Sequence, residues 1–148
     1  ARLRVQAEQL NITDRVRFAG YVPVKEAVPY YALSWTLVLN SITVPQGKET
    51  WGLVINEAFN QGTPAIASDA VGAAAGGLVR DGETGLVVPE RNVPALAQAI
   101  QRMLDEPGLR ERLSARAREV IATWDNEAMV MGFRQAIEYV TTKRNPQS

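Results

Sequence analysis

Apolar residues along the chain follow two alternating patterns, stripes with a helical period and short unbroken runs, and their order sets the expected elements. The clearest stripe is Trp51, Val54, Ile55, Ala58 and Phe59, at i, i+3, i+4, i+7 and i+8. Glu57 lies off that face. Thr50 is placed to cap the start of this helix and Gly62 to stop it before Pro64, because glycine accepts the left-handed conformation and proline cannot continue a helix. Val93, Leu96, Ala97, Ile100 and Leu104 form a second stripe. Leu109, Leu113, Ala117, Val120 and Ile121 form a third, with Pro107 suited to its first helical position. Val130, Phe133, Ile137 and Val140 form the last, with Asp125 near its start and a polar tail from Thr141. Two less regular segments come earlier. Ala1 to Gln9 reads as the charged end of a helix, and Val24 to Leu33 as a helical segment that Pro29 should end or kink.

Between the helices lie apolar runs of strand length. Val16 to Ala19 ends at Gly20, Trp35 to Asn40 precedes a polar loop from Ser41 to Glu49, and Ala65-Ile66-Ala67 precedes a small-residue loop from Ser68 to Gly77. Leu78-Val79-Arg80 is expected in a brief helical turn, Asp81 to Gly85 has turn chemistry, and Leu86-Val87-Val88 reads as the last strand. Short apolar strands alternating with amphipathic helices predict an α/β fold, a parallel sheet covered on both faces. Ligands of such sheets bind beyond the carboxyl ends of the strands. Three of those ends, at Gly20 to Val22, Ser41 to Glu49 and Ser68 to Gly77, converge on the start of the Trp51 helix.

Composition narrows the chemistry. The chain has 148 residues, enough for one domain that buries roughly 70% of its unfolded surface. Sixteen basic and sixteen acidic residues cancel, leaving no overall field to recruit nucleic acid. Cysteine and histidine are both absent, so any chemistry falls to carboxylates, amides, hydroxyls or backbone. No apolar stretch approaches the roughly 20 residues that span a bilayer, and the expected setting is cytoplasmic. The abrupt opening on a helix end suggests a fragment.

The start of the Trp51 helix leaves unpaired N–H groups around Trp51, Gly52 and Leu53, and Gly52 has no side chain to keep an anion away. That is the chemistry of a phosphate seat. Glu49 and Glu57 flank it with seven residues between them.

This spacing resembles the E-x7-E signature of retaining glycosyltransferases of the GT-B fold, in particular glycosyltransferase family 4 (group 1). The similarity runs in the family's order from Val16-Arg17-Phe18-Ala19-Gly20 and Tyr30-Tyr31-Ala32 through Trp51-Gly52-Leu53, Glu57-Ala58 and Gly62-Thr63-Pro64. It continues through Asp81 to Pro89 and Ala95-Leu96-Ala97, covering about residues 13 to 140. The resemblance implies a Rossmann-like carboxy-terminal domain that binds a nucleotide-sugar donor, working against a separate acceptor domain that is missing here. It implies transfer of a sugar to an acceptor hydroxyl with retention, with no required metal and no cofactor. Glu57 would hold the ribose hydroxyls, Glu49 would lie close to the donor sugar, Gly52 and Leu53 would meet the diphosphate, and Tyr21 and Val22 would border the base.

Two departures accompany the resemblance. The loop from Val71 to Arg80 has alanine and glycine where the family usually carries a glutamate. The basic pair that holds the diphosphate belongs upstream of Ala1. Two charge-assisted contacts of roughly 1.5–3 kcal/mol each correspond to about two to four decades of affinity, so the chain alone is expected to be inactive.

Each assignment has a plainer alternative. The alternative for Glu57 and Glu49 is a solvated charge, Trp51 reads as a core anchor rather than a base platform, and the glycines at 72, 76 and 77 read as tight-turn residues or as weak phosphate contacts. Arg110, Arg112, Arg116 and Arg118 read as pairing with Glu111 and Glu119 on a solvated helix, with a peripheral membrane contact and then nucleic acid as the lesser alternatives. Trp124 and the Phe133 helix read as structural packing. By resemblance the last helix would cross toward the missing domain, leaving an apolar face exposed. A homodimer through exposed surface is a further expectation, and a non-catalytic Rossmann-like binding or assembly module is the alternative to the whole reading.

Overall fold

The computed structural model describes residues 2–144. Three short strands, β1 (Leu37–Leu39), β2 (Ala65–Ser68) and β3 (Gly85–Val88), form one parallel sheet in the order β1-β2-β3. Leu37 pairs with Ala65, and Ala65 with Gly85. The helices among the described residues are α1 (Arg2–Gln9), α2 (Val24–Leu33), α3 (Leu53–Asn60), α4 (Gly72–Ala75), α5 (Val93–Asp105), α6 (Leu109–Ile121) and α7 (Asn126–Arg144).

The central strand explains the layers. Successive side chains of a strand point to opposite faces, and every residue of β2 is buried. Ala65 and Ala67 pack with Ile55 and Phe59 of α3 and with Ala117, Val120 and Ile121 of α6. Ile66 faces the other way, into a cluster with Leu86, Val88, Ala99, Met103, Leu109 and Leu113. The sheet is therefore covered on both sides, as the alternation of elements predicts. Each large aliphatic side chain buried there contributes about 1.5–3 kcal/mol.

Several helix ends follow the sequence. The Asn92 side chain accepts the Ala95 N–H at 3.0 Å, and the Asp125 carboxylate accepts the Ala128 N–H at 2.7 Å. α3 closes as expected at Gly62, whose N–H reaches the Phe59 carbonyl at 2.8 Å while the Thr63 N–H reaches that of Ala58 at 2.9 Å.

Other expectations are corrected. Residues 16–19 form no strand, and among the described residues no neighbouring strand pairs their backbone. Of the run from Trp35 to Asn40 only three residues enter the sheet. α2 continues through Pro29, which forfeits one backbone hydrogen bond without ending the helix. The helical turn expected at Leu78 to Arg80 lies earlier, as α4. α3 begins at Leu53 rather than after Thr50, because Gly52 adopts the left-handed conformation and breaks the helical path. Gly108 does the same after Pro107, so α6 begins at Leu109. α7 runs to Arg144, past the expected start of a polar tail at Thr141, and residues 145–148 of that tail and Ala1 lie outside the described residues.

Candidate functional site

The loop that leaves the carboxyl end of β1 is shaped by backbone contacts. Val44 and Gly47 exchange two hydrogen bonds of 2.9 Å each, making a tight turn. Further along, the Gly72 N–H donates to the Glu49 carbonyl at 3.0 Å and the Ala73 N–H to the Trp51 carbonyl at 2.8 Å. This fastens residues 49–51 onto α4. A Cβ at Gly72 would lie 1.8 Å from the Thr50 carbonyl oxygen, and one at Gly76 would lie 2.7 Å from the Trp51 ring. These two glycines give the backbone and ring of the preceding loop room to approach, while Gly77, at φ 80°, takes the turn conformation.

Gly52 starts α3 with φ 88° and ψ 62°. A Cβ there would also meet the Leu39 side chain at 2.7 Å. The N–H groups of Leu53 and Val54 come in the first turn, ahead of any helical carbonyl that could accept them. A depression of about 450 Å³ is lined by Leu39, Glu49, Thr50, Trp51, Gly52, Leu53 and Val54. Glu49, Gly52 and Leu53 thus come together as the sequence predicts.

Glu57 lies one turn beyond Leu53 and is half-buried. The Tyr31 hydroxyl donates to its Oε2 at 2.7 Å. Burial pushes the Tyr31 hydroxyl up to about 12, with the hydrogen bond to Glu57 and that residue's charge adding in the same direction. Tyr31 is itself held by the Thr63 hydroxyl, which donates to the Tyr31 carbonyl at 2.7 Å. Sequence reasoning missed this contact. Its only signal is that Tyr30-Tyr31-Ala32 belongs to the family resemblance.

Tyr21 and Val22 are placed differently. They lie in the segment before α2, where Tyr21 is 89% exposed. Among the described residues no hydrogen bond, ion pair or ring contact joins them to Glu49 or Glu57.

Trp51 is half-buried; its ring N–H donates to the Asn56 side chain at 2.8 Å and its ring lies 5.1 Å from that of Trp124. That geometry favours the core-anchor reading. The Phe133 face of α7 is exposed rather than packed, Phe133 itself at 66%. The arginines of α6 are engaged, Arg116 with Glu83 and Glu119 at 2.9 and 2.8 Å and Arg112 with Glu106 at 3.5 Å. Arg110 stacks on Trp35, and Arg118 donates to the Gln61 carbonyl. Acid–base pairing accounts for part of this cluster, with partners on other elements as well as on α6. Among the described residues no group of three or more Asp or Glu side chains is spaced to hold a metal ion, and no helix is long and apolar enough to cross a membrane.

A parallel sheet covered on both faces, with an open helix start beyond the carboxyl end of its first strand, defines a Rossmann-like α/β domain of the GT-B type. Residues 1–120 match the family described as Glycosyl transferases group 1. The chain is 38% identical over 143 residues to the D-inositol 3-phosphate glycosyltransferase of Acidothermus cellulolyticus, covering 92% of this chain and 30% of that protein. Its fold is similar to that of sucrose-phosphate synthase from Thermosynechococcus elongatus, with TM-score 0.75 and 34% identity over 93% of this chain and 34% of the other. It is also similar to the C-terminal domain of a glycosyl transferase group 1 protein, LpcC, from Francisella tularensis, with TM-score 0.70 and 22% identity over 82% of this chain and 60% of that one. The chain belongs to the glycosyl transferases group 1 family. It spans 24 to 30% of the length of the first curated relatives it matches.

Proposed function

We propose that this chain is the donor-binding domain of a retaining, nucleotide-sugar-dependent glycosyltransferase of family 4, acting with an acceptor domain carried elsewhere in the protein. The observation that carries the reading is the depression at the start of α3, where Glu49 stands beside the open amides and Glu57 follows one turn later. Glu57 accepts two vicinal ribose hydroxyls, through Oε1 and, once Tyr31 yields or shares it, Oε2. The amides of Gly52 and Leu53, with that of Val54 beside them at the positive end of the helix, take the diphosphate, and the missing side chain of Gly52 lets the ligand come close. A helix start stabilises negative charge by about 0.3–1 kcal/mol, up to ~2 when partly buried, and the departing diphosphate gains charge as the glycosidic bond breaks. Glu49 faces the donor sugar, and no metal is required in this scheme. Tyr21 and Val22 border the base once ligand is present, a role supported by the family resemblance alone.

The isolated chain is inactive in this reading, since the acceptor domain and the basic diphosphate contacts are supplied by other parts of the protein. The reading places the enzyme in the cytoplasm. Homodimerisation belongs to the isolated chain, through the exposed apolar face of α7, and the acceptor domain covers that face in the whole protein. Peripheral membrane contact draws no support from the α6 arginines, whose charges are engaged within the fold.

The test is an equilibrium titration of the wild-type chain and of Glu57→Ala with UDP, GDP and ADP. One nucleotide binds the wild type in the millimolar range, and the variant binds it about 10- to 150-fold more weakly, the equivalent of about 1.5–3 kcal/mol for hydrogen bonds to a charged group. Equal affinity of the two proteins would overturn the ribose assignment.

A further inference from the structure

The β1–α3 loop is gripped at a second point by two residues just past β3. The Thr43 N–H donates to Glu90 Oε2 at 2.5 Å, and Arg91 Nη2 donates to the Thr43 carbonyl at 2.7 Å. Both main-chain groups of one loop residue are thus held by the side chains of two consecutive residues far away in sequence. In an extended chain consecutive side chains point to opposite sides. Arg91 escapes that alternation by adopting φ 61°, in the left-handed region that non-glycine residues enter at a cost.

The pair is anchored in turn to the sheet. The Glu90 N–H donates to Asp69 Oδ1 at 2.8 Å, and the Asp69 N–H donates to the Val88 carbonyl at 3.0 Å. The Ser68 hydroxyl donates to the Ser41 carbonyl at 2.5 Å, fixing the start of the same loop to the end of β2. Thr43 precedes the tight turn at Val44 to Gly47, and that turn delivers Lys48 and Glu49. A second depression, lined by Ser41, Ile42, Val44, Gly47, Lys48 and Glu49 among others, adjoins the one at the start of α3, and Glu49 and Thr50 line both. The loop that carries Ile42, Val44 and Glu49 along that depression is therefore held through Thr43 as well as through α4.

We propose that Glu90 and Arg91 are positioning residues, which clasp Thr43 and so hold the loop in the form that presents Glu49 to the sugar end of the donor. The inference rests on the donor-site reading for its sugar and on the clasp geometry for its residues. Glu90 and Arg91 touch no substrate. Their loss affects recognition of the sugar and leaves the nucleotide seat on α3 in place.

The experiment compares the wild-type chain with Glu90→Ala, Glu90→Gln and Arg91→Ala. Amide exchange of the unliganded proteins is measured alongside titrations with three pairs, UDP and UDP-glucose, GDP and GDP-mannose, and ADP and ADP-glucose. In Glu90→Ala and Arg91→Ala, the Thr43 amide exchanges at least about tenfold faster and the Lys48 to Thr50 resonances move, while the Ile66 and Leu86 amides and the melting temperature stay put. The preference for nucleotide-sugar over nucleotide falls about tenfold in these variants. Glu90→Gln, which keeps an acceptor for the Thr43 N–H, restores most of both. Wild-type exchange at Thr43 in Glu90→Ala, or an unchanged sugar preference in a variant whose loop has moved, overturns the positioning assignment alone. A wild-type chain that binds no nucleotide in any of the three pairs overturns the donor-site reading first, and the exchange data still report whether the clasp orders the loop.

Discussion

Gly72→Ala tests how the Glu49 loop is built. The added Cβ would stand 1.8 Å from the Thr50 carbonyl oxygen, 2.5 Å from its carbon and 2.9 Å from the Trp51 Cα, all of them backbone. No rotamer change relieves such a contact, so residues 49–51 must move off α4 by more than about 1 Å to restore van der Waals distance. The move breaks the two hydrogen bonds from Gly72 and Ala73 to Glu49 and Trp51. At about 0.5–1.5 kcal/mol each these cost about 1–3 kcal/mol, and residual crowding adds about 1–3 kcal/mol. We expect a loss of about 2–6 kcal/mol in urea unfolding followed by tryptophan fluorescence. The preference for nucleotide-sugar over nucleotide should fall as well, because the same movement displaces Glu49 from the start of α3. A variant within about 0.5 kcal/mol of wild type would refute the reasoning, since the loop would then not rest on α4 as described.

Tyr31→Phe removes the donor on Glu57 Oε2 while keeping the ring, and is expected to cost about 0.5–1.5 kcal/mol in chemical denaturation; an unchanged midpoint would contradict the contact. Spectrophotometric titration should show one tyrosine ionising at about 12, and Glu57→Gln should lower that value. The folded value lies above the ordinary 10.0, so protonated Tyr31 favours the fold, and its contribution is complete below pH 10 and is lost as pH rises through about 12. Gly132→Ala lies inside α7, where an added Cβ meets nothing within 4 Å, so it should raise helix stability by about 1 kcal/mol in a circular-dichroism melt; a lower midpoint would count against the helix.

The helices and the two-faced sheet are legible in the sequence because their signals are periodic and local. Ile55, Ala58 and Phe59 share a face at helical spacing and are buried together, and Ala65, Ile66 and Ala67 alternate between the two cores. Local signals mislead where a partner decides the outcome. Residues 16–19 have strand composition, yet a strand is defined by the ladder beside it. Thr50 has capping chemistry, yet the conformation of Gly52 moves the helix start beyond its reach. Glu49, Gly52 and Leu53 could be grouped from sequence because one short stretch carries them. The Tyr31–Glu57 bond and the Glu90–Arg91 clasp join residues 26, 47 and 48 positions apart, and nothing periodic encodes such contacts.

The central claim is that the start of α3 is a nucleotide-sugar donor site, and an amide-resolved NMR titration of the chain with UDP, GDP and ADP to millimolar concentration tests it most directly. The account predicts that one nucleotide shifts the resonances of Gly52, Leu53 and Glu57 together, with Tyr21 and Val22 following, and that in Glu57→Ala the response requires at least about tenfold more ligand. Shifts scattered over the surface, or a response that persists unchanged in Glu57→Ala, would contradict it.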